Sequence, residues 1–186
     1  MPEPLADEPT TPSVVSSSQV FDGAVWNVRR EDFEYRGREI TREFVDHTGA
    51  VAVLAVDDEG RVLLIQQYRH PIRARDWELP AGLLDVEGEE PLAAAQRELE
   101  EEVDLVASDW TELVEFYSSP GGSNELIRVY QATGLRASAV AFERIDEEAD
   151  IVKRWVPLDE VVAAVLEGRL KNSILAIAVL AAHARP

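Results

Sequence analysis

Gly82-Leu83-Leu84-Asp85-Val86-Glu87-Gly88-Glu89, then seven residues, then Arg97-Glu98-Leu99-Glu100-Glu101-Glu102-Val103-Asp104-Leu105, is the stretch that decides the reading of this chain. Pro91 suits the first position of a helix, because its fixed φ is already helical and its missing N–H is not needed there. Leu92, Ala95, Leu99 and Val103 recur at spacings of three and four, so one helical face is apolar. Positions i, i+3 and i+4 share a face. Glu98, Glu101 and Glu102 therefore fall together, pointing away from that apolar face. Like charges so placed repel, by about 0.2–0.5 kcal/mol a pair on an exposed helix. A divalent cation reverses the sign, and hard oxygen ligands suit Mg²⁺, which keeps several of its waters. Taken alone, E-x-x-E-E on a helix is more often a solvated acidic face. Its flank argues otherwise.

With that flank, the stretch closely resembles the Nudix box, G-x5-E-x7-R-E-U-x-E-E-x-G-U with U apolar. It departs from the pattern in two places. The gap from Gly82 to Glu89 is one residue longer than usual, which lengthens a loop and leaves the helix intact. Asp104 stands where glycine usually ends the helix, and Asp is among the residues that tolerate the left-handed conformation wanted there. The resemblance implies an α/β fold, the Nudix α/β/α sandwich with a mixed sheet, preceded by a small N-terminal β subdomain. It implies metal ligands at Glu98 and Glu102, with Glu101 helping when several ions bind and the backbone carbonyl of Ala81 as a further ligand. Arg97 would hold the glutamates by ion pairing. Glu89, near the helix start, is either structural or on the edge of the site. The implied cofactor is Mg²⁺, with Mn²⁺ as a substitute.

Motifs outside the box narrow the implied substrate. Gln67-Tyr68-Arg69, followed by Trp77-Glu78-Leu79-Pro80-Ala81-Gly82, is similar to the ADP-ribose and nucleotide-sugar pyrophosphatase branch. Ser119-Pro120-Gly121-Gly122-Ser123 supports this, since a proline at that distance past the box marks the ADP-ribose enzymes; Pro120 and Gly121 are thus expected at the substrate. The resemblance covers roughly residues 20–183. Arg69 resembles the arginine that contacts phosphate, and a bidentate guanidinium suits a pyrophosphate. Arg73 and Arg75 read as surface residues. In this branch the N-terminal β segment pairs two subunits and completes an adenine site across the homodimer. Trp26 resembles its stacking aromatic, with ordinary packing as the alternative, and Arg42 its base-contacting arginine. Glu78 and Glu125 are candidate ribose contacts. A base for the attacking water is implied in the loop Glu143 to Asp150, at Glu147 or Glu148, with Glu147 preferred. The implied reaction is hydrolysis of ADP-ribose to AMP and ribose 5-phosphate. A nucleotide sugar, NADH or a dinucleoside polyphosphate stays open as substrate, as does a non-catalytic module that senses ADP-ribose. The three retained glutamates argue against the latter.

Composition sets the outer bounds. The chain has 186 residues, 46% of them apolar, which suits one domain of ordinary size with a core. It has no cysteine, so any metal must be bound by oxygen or histidine, and a cytoplasmic location is expected. A formal net charge of −18 repels nucleic acid and anionic membrane, so neither is an expected partner. It also poses a puzzle for a protein that binds an anion: cations or a few well-placed arginines must neutralise the site. Met1 to Ser18 is rich in Pro, Ser, Thr and acid with no apolar core, and 1–19 is expected to be a mobile tail. The longest apolar stretch, Ile174 to Ala182, falls short of the ~20 residues that span a bilayer, so a soluble protein is expected.

Residues 20–48 read as short strands forming the dimerising subdomain, with a turn at Tyr35 to Arg38, and 49–186 as the Nudix domain. Ala50 to Val56 and Val62 to Gln67 flank the acidic turn Asp57 to Gly60 and are predicted to form a hairpin. Leu113 to Tyr117, Leu126 to Thr133 and Val152 to Val156 are further predicted strands, and Leu158 to Leu166 an amphipathic helix with Gly168 beyond its end. Asn172 or Ser173 caps a last helix that is apolar almost all round and therefore predicted to be buried.

Overall fold

The computed structural model describes residues 4–140, 142, 144 and 150–185. They fall into two compact units: one runs to His47 and takes in Ser119–Asn124, and the other comprises Thr48–Ser118 and the chain from Glu125 onward.

The first unit is an antiparallel sheet of β1 (Ser13–Asp22), β2 (Asn27–Tyr35) and β3 (Arg38–Asp46), in that order. Arg36 and Gly37 join β2 to β3 with φ of 52° and 74°, the pair of left-handed residues that a tight hairpin turn requires. The expected tail is shorter than the sequence suggests, because residues 13–19 belong to β1. That segment alternates no apolar face. It is held instead by ladder bonds and by serines, Ser16 donating to Asp32 at 2.7 Å and Ser17 to Glu31 at 3.0 Å. Val14, Val15, Val20 and Phe21 remain exposed.

The second unit starts from β4 (Ala50–Ala55), an uninterrupted apolar run whose residues are all buried. Such a run fits a central strand covered on both faces. β4 pairs parallel with β9 (Leu126–Ala137) and antiparallel with β7 (Ala81–Leu83), and β8 (Leu105–Tyr117) completes a mixed four-stranded sheet. A second, antiparallel sheet has the order β10 (Val152–Pro157), β5 (Arg61–Arg69), β6 (Ala74–Glu78). The predicted β4–β5 hairpin does not form. Only the bridge Val56–Val62 joins the two runs, and the chain crosses there from one sheet to the other. Asp57 shapes the crossing, accepting from the backbone of Glu59 and Arg61 and from the Arg61 side chain.

Helices cover both faces. Val51, Val53, Leu63 and Ile65 pack against Leu99 and Val103 of α1 (Pro91–Val103). Ala52, Leu54, Leu64 and Val129 pack against α2 (Leu158–Leu166) and α3 (Ser173–Ala184) through Val161, Leu175 and Val179. This is the expected α/β/α sandwich. Asn172 caps α3, its side-chain oxygen accepting from the Leu175 N–H at 3.0 Å. α3 buries only one face, since Leu180 is exposed. Among the described residues no helix is long and apolar enough to cross a membrane.

α1 ends as its sequence requires. Asp104 has φ of 60° and ψ of 35°, and its N–H returns to the carbonyls of Glu100 and Leu99. Leu92, expected on the core face, is instead 37% exposed in the first turn. Leu99→Ala is therefore expected to cost about 2–5 kcal/mol, as for a fully buried leucine. Leu92→Ala should cost under ~1 kcal/mol. Urea unfolding of both variants measures the difference.

Candidate active site

The carboxylate helix is laid onto the sheet at its closest approach to β7. A Cβ built on Gly82 would lie 2.0 Å from Cδ of Glu98 and 2.1 Å from its Oε1. Only glycine leaves room there, so the Glu98 carboxylate rests directly on the β7 backbone. One turn further on, Glu102 is 5% exposed, and its Oε2 accepts from the Ala81 N–H at 2.9 Å. The sequence placed Glu102 on the outward face with Glu101. It lies instead on the buried side of α1, because three residues past Leu99 is only about 60° around the helix. Both neighbours of the Ala81–Gly82 peptide are thus held by glutamates of α1.

Arg97 binds the remaining carboxylates. Its Nε and Nη2 donate to the two oxygens of Glu89 at 3.0 Å each, and its Nη1 donates to Glu98 at 2.6 Å and Glu101 at 3.0 Å. The bidentate pair with Glu89 is the largest cause raising the Arg97 pKa far above its ordinary value, against a smaller opposing effect of burial. In return Arg97 holds the Glu89 carboxyl below its usual range. The extra residue in the Gly82–Glu89 loop is absorbed by a turn in which Glu89 N–H donates to the Val86 carbonyl, with Gly88 at φ of 79°. Glu89 is delivered to Arg97 all the same.

Asp104 does more than end the helix. Its carboxylate pairs with Arg144 and with Lys153, each at 2.7 Å, and these partners hold its pKa down, Arg144 most. Nothing in the sequence signalled this, since the partners lie far along the chain.

On strands β5 and β6, Arg69 and Glu78 meet. Arg69 Nε donates to Glu78 Oε1 at 2.8 Å and Nη2 to Oε2 at 2.6 Å, and Gln67 Nε2 donates to Oε2 at 3.4 Å. Glu78 is the main cause raising the Arg69 pKa, with smaller contributions from Glu102 and Asp76. Arg69, Glu78 and Ala81 line one cavity of about 300 Å³ with Asp76, Asn172 and Ile174. Arg73 sits in a turn with φ of 51°, and Arg75 donates to the Asp150 carbonyl, both exposed as expected.

Glu125, also in the second unit, accepts from the Ser118 hydroxyl. In the first unit, Trp26 stacks on His47 with centroids 4.3 Å apart. Arg42 is exposed on β3 opposite Glu31, and its Nη1 donates to the Thr41 carbonyl. Pro120 and Gly121 form an exposed turn in which the Gly122 and Ser123 N–H groups return to Ser119. Glu147 and Glu148 lie outside the described residues.

The second unit therefore brings together Ala81, Glu98, Glu101, Glu102, Arg97 and Arg69. Among the described residues no group of three or more acidic or histidine side chains forms a closed cation cage. Arg97 and the Ala81 N–H already engage those on α1. Mg²⁺ does not require such a cage, because it is usually held by one or two carboxylates, waters and substrate phosphates. The all-oxygen donor set fits it.

A carboxylate helix seated on a glycine strand inside an α/β/α sandwich is the site of a Nudix protein. Residues 46–176 match the NUDIX domain, and the chain belongs to that family. It is 48% identical over 171 residues to the ADP-ribose pyrophosphatase of Mycobacterium tuberculosis, covering 91% of this chain and 82% of that protein. It is 40% identical over 158 residues to the ADP-ribose pyrophosphatase of Bacillus subtilis, covering 84% and 80%. A solved structure described as an ADP compounds hydrolase shares the fold, with a TM-score of 0.76 at 22% identity over 96% of this chain and 95% of that one.

The contact between Gly82 and Glu98 gives a direct test. Gly82→Ala should push the Glu98 carboxylate by about 1 Å or more, since carbon atoms pack no closer than about 3.5 Å. A crystal structure of the variant with Glu98 in its original position would contradict this account of the glycine.

Proposed function

We propose that this protein hydrolyses the pyrophosphate bond of ADP-ribose, with Mg²⁺, to AMP and ribose 5-phosphate, and that Mn²⁺ substitutes for Mg²⁺. The observation that carries this reading is the pair of carboxylates on consecutive turns of α1, Glu98 on Gly82 and Glu102 on the Ala81 N–H, beside Arg69. Two relatives at 48% and 40% identity named ADP-ribose pyrophosphatase support the substrate. A relative at 32% identity named GDP-mannose pyrophosphatase keeps nucleotide sugars as the second reading.

Glu98 and Glu102, helped by Glu101 and the Ala81 carbonyl, would hold the cation. When bound, it supplies positive charge to the pyrophosphate oxygens and a lowered pKa to the attacking water. Arg69 binds a phosphate oxygen, and Arg97 keeps the glutamates of α1 in one arrangement. Glu147 or Glu148, with Glu147 preferred, takes the proton of the water that attacks phosphorus. The P–O bond to the leaving phosphate breaks in line, and the water oxygen stays on the attacked phosphorus.

Glu98→Gln and Glu102→Gln should each lower kcat by at least about 10²-fold, the scale of losing a major charge-stabilising group. Both variants should stay folded. In Glu102→Gln the amide oxygen can still accept from Ala81. Turnover of a panel of nucleoside diphosphate compounds, with products separated by chromatography, reads both the substrate and the loss. Near-normal kcat in both variants at saturating Mg²⁺ would refute the assignment.

The reading also includes a cytoplasmic homodimer in which Trp26 stacks on the adenine and Arg42 contacts the base, with Pro120, Gly121 and Glu125 at the substrate. The fully exposed β1, with Val14, Val15, Val20 and Phe21 in water, supports dimerisation, because a small sheet cannot bury these side chains itself. No nucleic acid or membrane partner is proposed at a net charge of −18. Light scattering should give twice the chain mass. A monomer with full activity would rule out the shared adenine site.

A further inference from the structure

Glu78 is 4% exposed and Gln67 likewise 4%, so a carboxylate and an amide share one buried spot, and Glu78 also lines the cavity. The ladder pairs Gln67 with Asp76, Ile65 with Glu78 and Arg69 with Ala74. Gln67, Arg69, Asp76 and Glu78 therefore lie on one face of β5–β6, since side chains two apart share a face. Arg69 does not reach straight out from the strand end. It folds back past Gln67 to meet Glu78.

The contact is made side-on, through Nε and Nη2. A guanidinium carries five N–H donors in a rigid fork. Two are spent on Glu78, which leaves one on Nη2 and both on Nη1. Among the described residues nothing accepts from Nη1 of Arg69. That unused end-on edge belongs to a residue lining the cavity, and it matches two oxygens of one phosphoryl group.

We infer that Glu78 is a positioning residue: it locks Arg69 side-on and so presets the end-on edge of the guanidinium for one phosphoryl group of the substrate. This rests on the reading of Arg69 as a phosphate-binding residue given above. It replaces the ribose contact expected of Glu78, whose two oxygens are both taken by Arg69. The pair is specific to arginine. A lysine is a point charge and cannot hold Glu78 at two points while offering two donors to a phosphate. Glu78 in turn needs Arg69, because a buried carboxylate left without its partner is strongly unfavourable. The two side chains should therefore act as one unit.

The test is a double-mutant cycle on binding of inorganic pyrophosphate with Mg²⁺, followed by calorimetry on the full chain. Glu78→Gln and Arg69→Lys should each weaken binding by about 10-fold or more, as for loss of a charge-assisted hydrogen bond. The double variant should be within about two-fold of Arg69→Lys alone, since coupled partners are not additive. Independent losses that multiply would mean that Glu78 touches the ligand itself, and would overturn the inference. So would an affinity of Glu78→Gln within two-fold of the parent, or no pyrophosphate binding by the parent.

Should Glu78→Gln fail to fold, the parent still decides. Hydrogen exchange at Arg69 Nε, read by ¹⁵N NMR without ligand, should be slower than at the exposed Arg42. Equal rates would show that the side-on pair is absent. Pyrophosphate carries no adenosine, so an intact cycle without ADP-ribose turnover would sink the proposed substrate alone, and additive losses with normal turnover would sink only the role of Glu78.

Discussion

Three carboxylates brought to one guanidinium are the condition on which the rest of this structure depends. Glu98 and Glu101 lie three apart on α1, and Glu89 arrives from the preceding loop; without Arg97 between them their charges would repel at the surface of the sheet. With it, the helix can carry a dense row of acid and still lie against β7. The consequences spread outward. The glycine at position 82 is needed because Glu98, so held, leaves no space for a side chain. The loop from Leu84 to Glu89 can gain a residue, because what matters is where Glu89 ends, and a turn at Gly88 takes up the slack. Glu102 then adds a backbone tether through Ala81. The chemistry at this corner is thus the packing of the corner as well.

A second constraint comes from β4, which is buried on both faces and so must receive helices on both. Its parallel pairing with β9 and antiparallel pairing with β7 bring Ala81 and Gly82 under α1. The element types here were legible in the sequence; the pairing was not. Two apolar runs joined by Asp57 to Gly60 look alike whether they form a hairpin or step between sheets, since periodicity reports burial and not partners. The deciding partner, β9, lies far along the chain. Length and composition hint at it, because a run apolar without alternation suits a central strand better than a hairpin with one wet face.

The site was legible to a similar depth. The spacing of Arg97, Glu98, Glu101 and Glu102 is local and survives intact. The orientation of Glu102 does not follow from the spacing, because grouping by i, i+3 and i+4 ignores that the same residue lies within a turn of Leu99. The Arg69–Glu78 pair could not be seen, since it depends on the register of β5 against β6. Residues 13–19 of β1 read as tail for another reason. Its Ser–Val composition buries nothing within its own unit, so the physical signal that marks a strand, a periodic apolar face, is absent. The position of Asp104 speaks for its backbone alone, whereas its carboxylate also binds Arg144 and Lys153.

Lysines and arginines number 18 against 36 acids, and the structure commits many of the former to carboxylates: Arg97 to three, Lys153 to Asp104, Arg29 to Asp46, Arg128 to Glu115. Among the described residues, Arg69, which lines the cavity beside Ala81, is likewise paired, with Glu78. At physiological salt the Debye length is about 8 Å, so the net charge is screened from a ligand until it is close. On the proposed reading, what a ligand then meets is local: carboxylates that suit a cation, and a guanidinium with one edge held by a buried acid. Charge pairing inside the protein is what makes the remaining edge directional. A freely rotating arginine would carry the same charge without fixing the direction of its donors.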